Sequence, residues 1–165
     1  MLQHKSTQVL LNKDTLYSIQ PVPAVFHGYT SLQRLQVITP DNQHELIVQT
    51  ELQNGRIDMV GFSQSGMQLF HLNWQPNQAL AVTRNIALAD LPAEQLLAYY
   101  QLSNWPLNDI QKGLKGMQIQ IKQGEHETRE FFIKNQLIFS LVKNNLGSTL
   151  THYQDNYTIN IQNLD

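Results

Sequence analysis

The chain has 165 residues, 41% of them hydrophobic and 15% charged, with a net charge of −2. That length fits one domain with a sizeable core, and eleven basic against thirteen acidic residues leave no electrostatic footprint for nucleic acid. The absence of cysteine excludes thiolate catalysis, disulfides and cysteine-based zinc sites in this sequence, and no segment approaches the ~18 apolar residues of a membrane-spanning helix.

Residues 1–30 carry two apolar patches, Val9-Leu10-Leu11 and Leu16-Tyr17-Ser18-Ile19, followed by Gln20-Pro21-Val22-Pro23. Two prolines so close set a loop or sheet edge, so the region is expected to be a packed N-terminal arm with one short helix or strand.

Residues 31–84 read as a β-meander. Leu35 and Val37 alternate with polar neighbours, and Leu46, Val48, Thr50 and Leu52 do the same beyond a Pro40-Asp41-Asn42 turn. Asn54-Gly55 is a hairpin signal. It leads into Arg56 to Trp74, two strands joined at Ser63-Gln64-Ser65-Gly66. Here apolar residues fall on both strand faces: Phe70, Leu72 and Trp74 on one, Met67 and Leu69 on the other. A strand apolar on both sides needs cover on both sides, or a ligand.

Residues 90–116 change period. Asp90 or a neighbour can cap a helix, Pro92 suits its first turn, and Leu96, Leu97, Tyr100 and Leu102 follow at helical spacing. Pro106 ends it. Trp105-Pro106-Leu107 opens a second helix carrying Ile110 and Leu114, with Gly113 and Gly116 at its end. Residues 117–162 return to strands, Met117, Ile119 and Ile121 alternating first. Short-range strands, two helices and more strands predict a single α+β domain over 1–165: one antiparallel sheet with helices on one face.

Motifs for catalysis are weak. Gly61-Phe62-Ser63-Gln64-Ser65 departs from the GxSxG nucleophile elbow at its fifth position and sits between strands rather than before a helix. Ser63 is therefore better explained as a turn residue. The six histidines lack metal-ligand spacing, and His71 reads as a satisfied sheet histidine. No cofactor is expected. What remains is an apolar surplus, either plain core or the lining of a cleft with few polar anchors.

The runs IDMVGFSQSGMQLFHLNW and LPAEQLLAYYQLSNWPLNDIQKGL carry a resemblance. With Gly66 closing a turn before a strand, the Leu96-Leu97 pair, and Trp105-Pro106-Leu107 with Ile110, the sequence resembles the bacterial outer-membrane lipoproteins of the DUF3261 family. It also looks like a distant relative of LolB, the outer-membrane acceptor of lipoproteins. The likeness runs from Ser31 to Leu114 and more loosely beyond.

The resemblance implies a curved antiparallel sheet, a half-open β-barrel of LolA/LolB type, with helices covering its concave face over an apolar cavity. It implies export, a lipid anchor on an N-terminal cysteine, and residence on the periplasmic face of the outer membrane, with a periplasmic carrier protein as a partner. The signal and that cysteine are expected to have been trimmed, Met1 being a replacement start. LolB presents a membrane-probing leucine just before the hairpin glycine; the matching residue here is Ser65, polar and small.

The resulting expectation is a non-enzymatic periplasmic carrier of an acyl chain or lipid-like ligand, serving lipoprotein, lipid or polyene traffic. Its cavity would be lined by Leu35, Val37, Leu46, Val48, Phe70, Leu72, Trp74, Leu97 and Tyr100. The loop Phe62, Ser63, Gln64, Ser65, Gly66 and Met67 would face membrane or partner. The alternative is a structural or assembly lipoprotein using the same fold as a protein-interaction surface.

Overall fold

The structure, a computed structural model, describes residues 7–85 and 91–165; the helix cap expected at Asp90 lies outside the described residues. A short hairpin of β1 (Gln8–Leu10) and β2 (Leu16–Ser18) precedes a meander of β3 (Tyr29–Ile38), β4 (Gln43–Gln53), β5 (Arg56–Phe62), β6 (Gln68–Trp74) and β7 (Ala81–Arg84). Two helices follow, α1 (Ala93–Asn104) and α2 (Leu107–Gly113). A second meander closes the chain: β8 (Gln118–Gln123), β9 (Glu127–Ile133), β10 (Gln136–Lys143), β11 (Gly147–His152) and β12 (Tyr157–Asn163).

Both meanders belong to one antiparallel sheet of order β7-β6-β5-β4-β3-β12-β11-β10-β9-β8. Every neighbour but one is also a sequence neighbour. The exception is the β3–β12 seam, where Leu35 faces Ile161 and Val37 faces Ile159. The outermost strands β7 and β8 each have one partner, so the sheet is open. This is the expected α+β plan of an antiparallel sheet with helices.

Local chemistry sets the turns. Asn54 and Gly55 both take positive φ, 47° and 81°, the backbone a two-residue hairpin turn requires and one that Asn and Gly adopt at least cost. Lys134 and Asn135 repeat it at 47° and 67° between β9 and β10.

The oddity of the Arg56–Trp74 hairpin resolves at Gly61. A Cβ there would lie 2.2 Å from the Phe70 ring, and the strand register shifts between Gly61 and Phe62. Such a bulge puts two consecutive residues inside, and Leu69 and Phe70 are both buried. The other face is not covered: Val60 and Phe62 are half-buried, while His71 and Met67 are exposed. Gly61, the first glycine of the elbow-like motif, lies under a ring packed on its backbone.

The N-terminal arm is a two-stranded hairpin plus a 3-10 turn at Ala24–Phe26. Val9, Leu11, Tyr17, Ile19 and Val22 are buried. The buried Gln101 of α1 ties the arm down: its Oε1 accepts from Tyr17 Oη (2.8 Å) and Gln20 N (2.9 Å), and its Nε2 donates to Gln20 O (2.9 Å). An amide side chain thus pairs with backbone as a strand would, and no buried polar atom of Gln101 goes unmet. Gly113 lies tight against the same arm, where a Cβ would sit 2.4 Å from Ser18 O.

A second clamp fixes the end of α1. In a helix the Leu102 carbonyl would accept from residue 106, which is proline and has no N–H. Arg129, reaching from β9, supplies the missing donor: its Nη1 donates to Leu102 O and Trp105 O, both at 2.8 Å. Its Nε donates to Glu127 Oε1 at 2.8 Å. Arg129 is buried, and these bonds compensate the burial of its charge.

Candidate functional site

Residues of β3, β4, β5, β10, β11 and β12 that point toward α1 leave one cavity of about 260 Å³ between sheet and helix. It straddles the β3–β12 seam. The sheet contributes Leu35, Val48, Met59, Leu150, Ile159 and Ile161 as an apolar floor, and α1 contributes Leu96, Tyr99, Tyr100 and Ser103 as a roof. Toward solvent the lining becomes polar, with Gln33, Asn104, Lys143, Asn144 and Asn163. The rim is ordered by its own hydrogen bonds: Gln33 Nε2 donates to Asn163 Oδ1 (2.9 Å), Asn104 Nδ2 to Tyr100 O (2.8 Å). Asn144 Oδ1 accepts from the backbone of Leu146 and Gly147 in the β10–β11 turn.

The second meander also carries a row of stacked rings. Phe131, Phe139, His152 and Tyr157 occupy successive cross-strand positions on β9, β10, β11 and β12, with centroid separations of 4.3, 5.6 and 4.8 Å. His152 is buried, bonded through Nε2 to Leu11 O and accepting at Nδ1 from Asp155 N. Burial pushes its pKa below the ordinary histidine value, against the raising influence of the Leu11 carbonyl and Asp155. The neutral ring therefore latches the N-terminal arm to the sheet. The Tyr99 and Tyr157 hydroxyls bond each other across the helix–sheet gap, and burial raises the Tyr99 pKa well above its usual value, Tyr157 adding to it.

The nine residues expected to line a cavity are divided by the structure. Leu35, Val48 and Tyr100 line it. Val37, Leu46, Phe70, Leu72, Trp74 and Leu97 are buried in the continuous core instead. Sequence reasoning missed the seam-side walls, Leu150, Ile159 and Ile161, and the charged rim residue Lys143. A signal existed: in LIFSLVK, Phe139, Leu141 and Lys143 alternate, which puts Lys143 on the apolar face.

The hairpin tip stands apart from the cavity. Ser63 Oγ is 2.9 Å from Ser65 Oγ and accepts from Met67 N at 3.1 Å, while Ser63 N and Gly66 N bond within the turn. Gly66 has φ 87°. Gln64 bonds Glu45, Phe62 is half-buried, and Met67, half exposed, is the large apolar side chain at the tip. His71 pairs with Asp58 across β5 and β6, Asp58 also accepting from Arg56 and Asn73. Burial works against ionisation of Asp58, but the His71 and Arg56 bonds and charges outweigh it and hold its carboxyl below the ordinary value. This exposed network is the partner that satisfies His71.

Fold and site define an open ten-stranded antiparallel sheet protein with a small amphipathic cavity under one helix. The chain belongs to the family described as "Protein of unknown function (DUF3261)", whose model matches residues 30–165. A search of curated proteins gave no match.

Proposed function

We propose that the protein is a non-enzymatic binding or carrier protein that holds one acyl chain, or a similar slender hydrophobic ligand, between the sheet and α1. The observation that carries the reading is the cavity: apolar within, polar at the rim, and set at the seam of the two meanders. Its size limits the occupant. At about 30 Å³ per water-sized group, a volume of about 260 Å³ takes roughly eight carbons of chain. A longer acyl chain would extend past the rim, and the several chains of a whole lipoprotein would not fit together. Eight buried methylenes at about 0.8 kcal/mol each give roughly 6 kcal/mol, within reach of micromolar binding once a polar anchor is added.

A curled, half-barrel sheet is part of the proposal, and the reach of α1 supports it. Glu94 near its start pairs with Arg84 of β7, and Leu102 near its end bonds Arg129 of β9. Eight residues of helix rise only about 12 Å. Those strands are eight spacings apart in the sheet, roughly 38 Å if it were flat. Two extended side chains close such a gap most readily if the sheet wraps the helix.

The place of action belongs to the same proposal: the periplasmic face of the outer membrane, through a lipid anchor encoded outside this sequence, with a periplasmic carrier as partner. Met67 is the apolar side chain offered at the hairpin tip, and Ser65 gives no support to a lipoprotein-inserting role. Native mass spectrometry of freshly purified protein tests the binding reading, with co-purified acyl species or uptake of a fluorescent fatty acid as the expected result. Neither lipid nor uptake would count for the second reading, an assembly lipoprotein. The filled core around Phe70, Leu72 and Trp74 favours that alternative. Export is tested by the upstream reading frame, which should encode a signal with a lipidation cysteine.

A further inference from the structure

Lys143 is the one charged side chain among the described residues lining the cavity. It ends β10 on the same face as Phe139 and Leu141, beside Ser148 on β11. Its side chain is 38% exposed, so part of it is covered by its neighbours. A tight partner for it is missing from its nearest carboxylate. Glu127 Oε1 is 3.9 Å from Lys143 Nζ, beyond hydrogen-bond range, while that carboxylate accepts from Arg129 at 2.8 Å and Gln123 at 3.0 Å. Two cations share one carboxylate here, and Arg129 is committed to the helix end.

We infer that the cavity's occupant is a single-chain amphiphile with an anionic head, its carboxylate or phosphate paired with Lys143 Nζ and its tail on the floor of Leu150, Ile159 and Leu35. The inference rests on the cavity-binding reading above and deepens it. The rim favours this orientation, since Gln33, Asn163 and Asn104 bring polar amides to the mouth where a head would sit, while the inner floor has none. Burial and the charge of Arg129 lower the Lys143 pKa, Glu127 opposing them, which agrees with an ammonium short of compensating negative charge.

Calorimetric titration of the full chain with decanoate, decyl phosphate and 1-decanol tests this. The two anions should bind at least about tenfold more tightly than the alcohol, the worth of one charge-assisted bond. Lys143→Met should erase that advantage, and Lys143→Arg should retain it. Equal binding of decanoate and decanol by the wild-type chain overturns the inference without any variant, and so does a preference that survives in Lys143→Met. Those results leave the binding reading intact, because decanol still binds; failure of all three probes to bind overturns both.

Discussion

The two five-stranded halves of the sheet present different inner faces to the same helix. The first, β3 to β7, is aliphatic and aromatic and mostly filled: Ile57, Leu72 and Trp74 pack with Phe70 over Gly61. The second, β8 to β12, mixes a four-ring stack that includes His152 with Arg129, Glu127 and Lys143, and its polar members clamp and latch other elements. Each half alone would be unremarkable core or polar surface. Where they meet, at β3–β12, neither set of side chains fills the space, and the cavity opens there. Filled packing stabilises the fold; the mismatch at the seam leaves the cavity.

The largest expected effect breaks the second half's clamp. Arg129→Met leaves Glu127 with Gln123 and the more distant Lys143 and returns the Leu102 carbonyl to the state Pro106 leaves it in. Loss of a buried, hydrogen-bonded charge of this kind costs about 3–5 kcal/mol, toward the lower figure because Glu127 is partly exposed. Urea unfolding measures it. A cost below about 1 kcal/mol would mean that α1 is held by its apolar face alone.

A paired truncation sharpens the contrast between filled and open regions. Leu72→Ala removes a fully buried side chain from close-packed core and should cost about 2–5 kcal/mol. Leu150→Ala enlarges a space that already exists, so its cost should fall at the low end, about 2 kcal/mol. The same variant should accept an acyl chain a few carbons longer, while Leu72→Ala should not. Chain-length profiles of binding, with denaturation midpoints, check both halves of this statement.

The smallest effect concerns acid. His152 has its folded-state pKa below the unfolded value, so the folded protein binds fewer protons over the interval between them. Its contribution is fully present above the unfolded value of about 6.5 and is lost as pH falls toward the folded value, by at most about 1.4 kcal/mol per pH unit. Glu127 acts in the same direction at lower pH. Burial opposes its ionisation, yet the bond and charge of Arg129, with help from Gln123 and Lys143, bring its pKa below normal. Hydrogen exchange should show β1 and β2 opening first below pH 6.5, since Leu11 is what His152 holds. Uniform opening would contradict the latch.

Much of the architecture was legible in local pattern. Alternation at Leu35–Val37 and Leu46–Leu52, the Asn54-Gly55 turn and the proline-bounded helices all describe short-range structure, and a meander is built from little else. The cavity was harder. Phe70, Leu72 and Trp74 looked like lining because they are large and alternate, but periodicity reports which face is covered, not whether the space above is filled. That depends on the β3–β12 pairing, between residues more than a hundred positions apart. The roles of Arg129 and Gln101 were hidden because each is set by a partner from another element, and that of Gly61 because the ring packed on it follows from the β5–β6 register. Lys143 was legible in principle, as a charge in register with Phe139 and Leu141.

Methyl-resolved NMR during titration with decanoate tests the central claim most directly. Resonances of Leu35, Val48, Leu150, Ile159 and Ile161, at the seam, should shift and saturate together, while Ile57 and Leu72 in the filled half stay in place. Shifts confined to the hairpin tip around Met67, or no saturable shift at the seam, would contradict it.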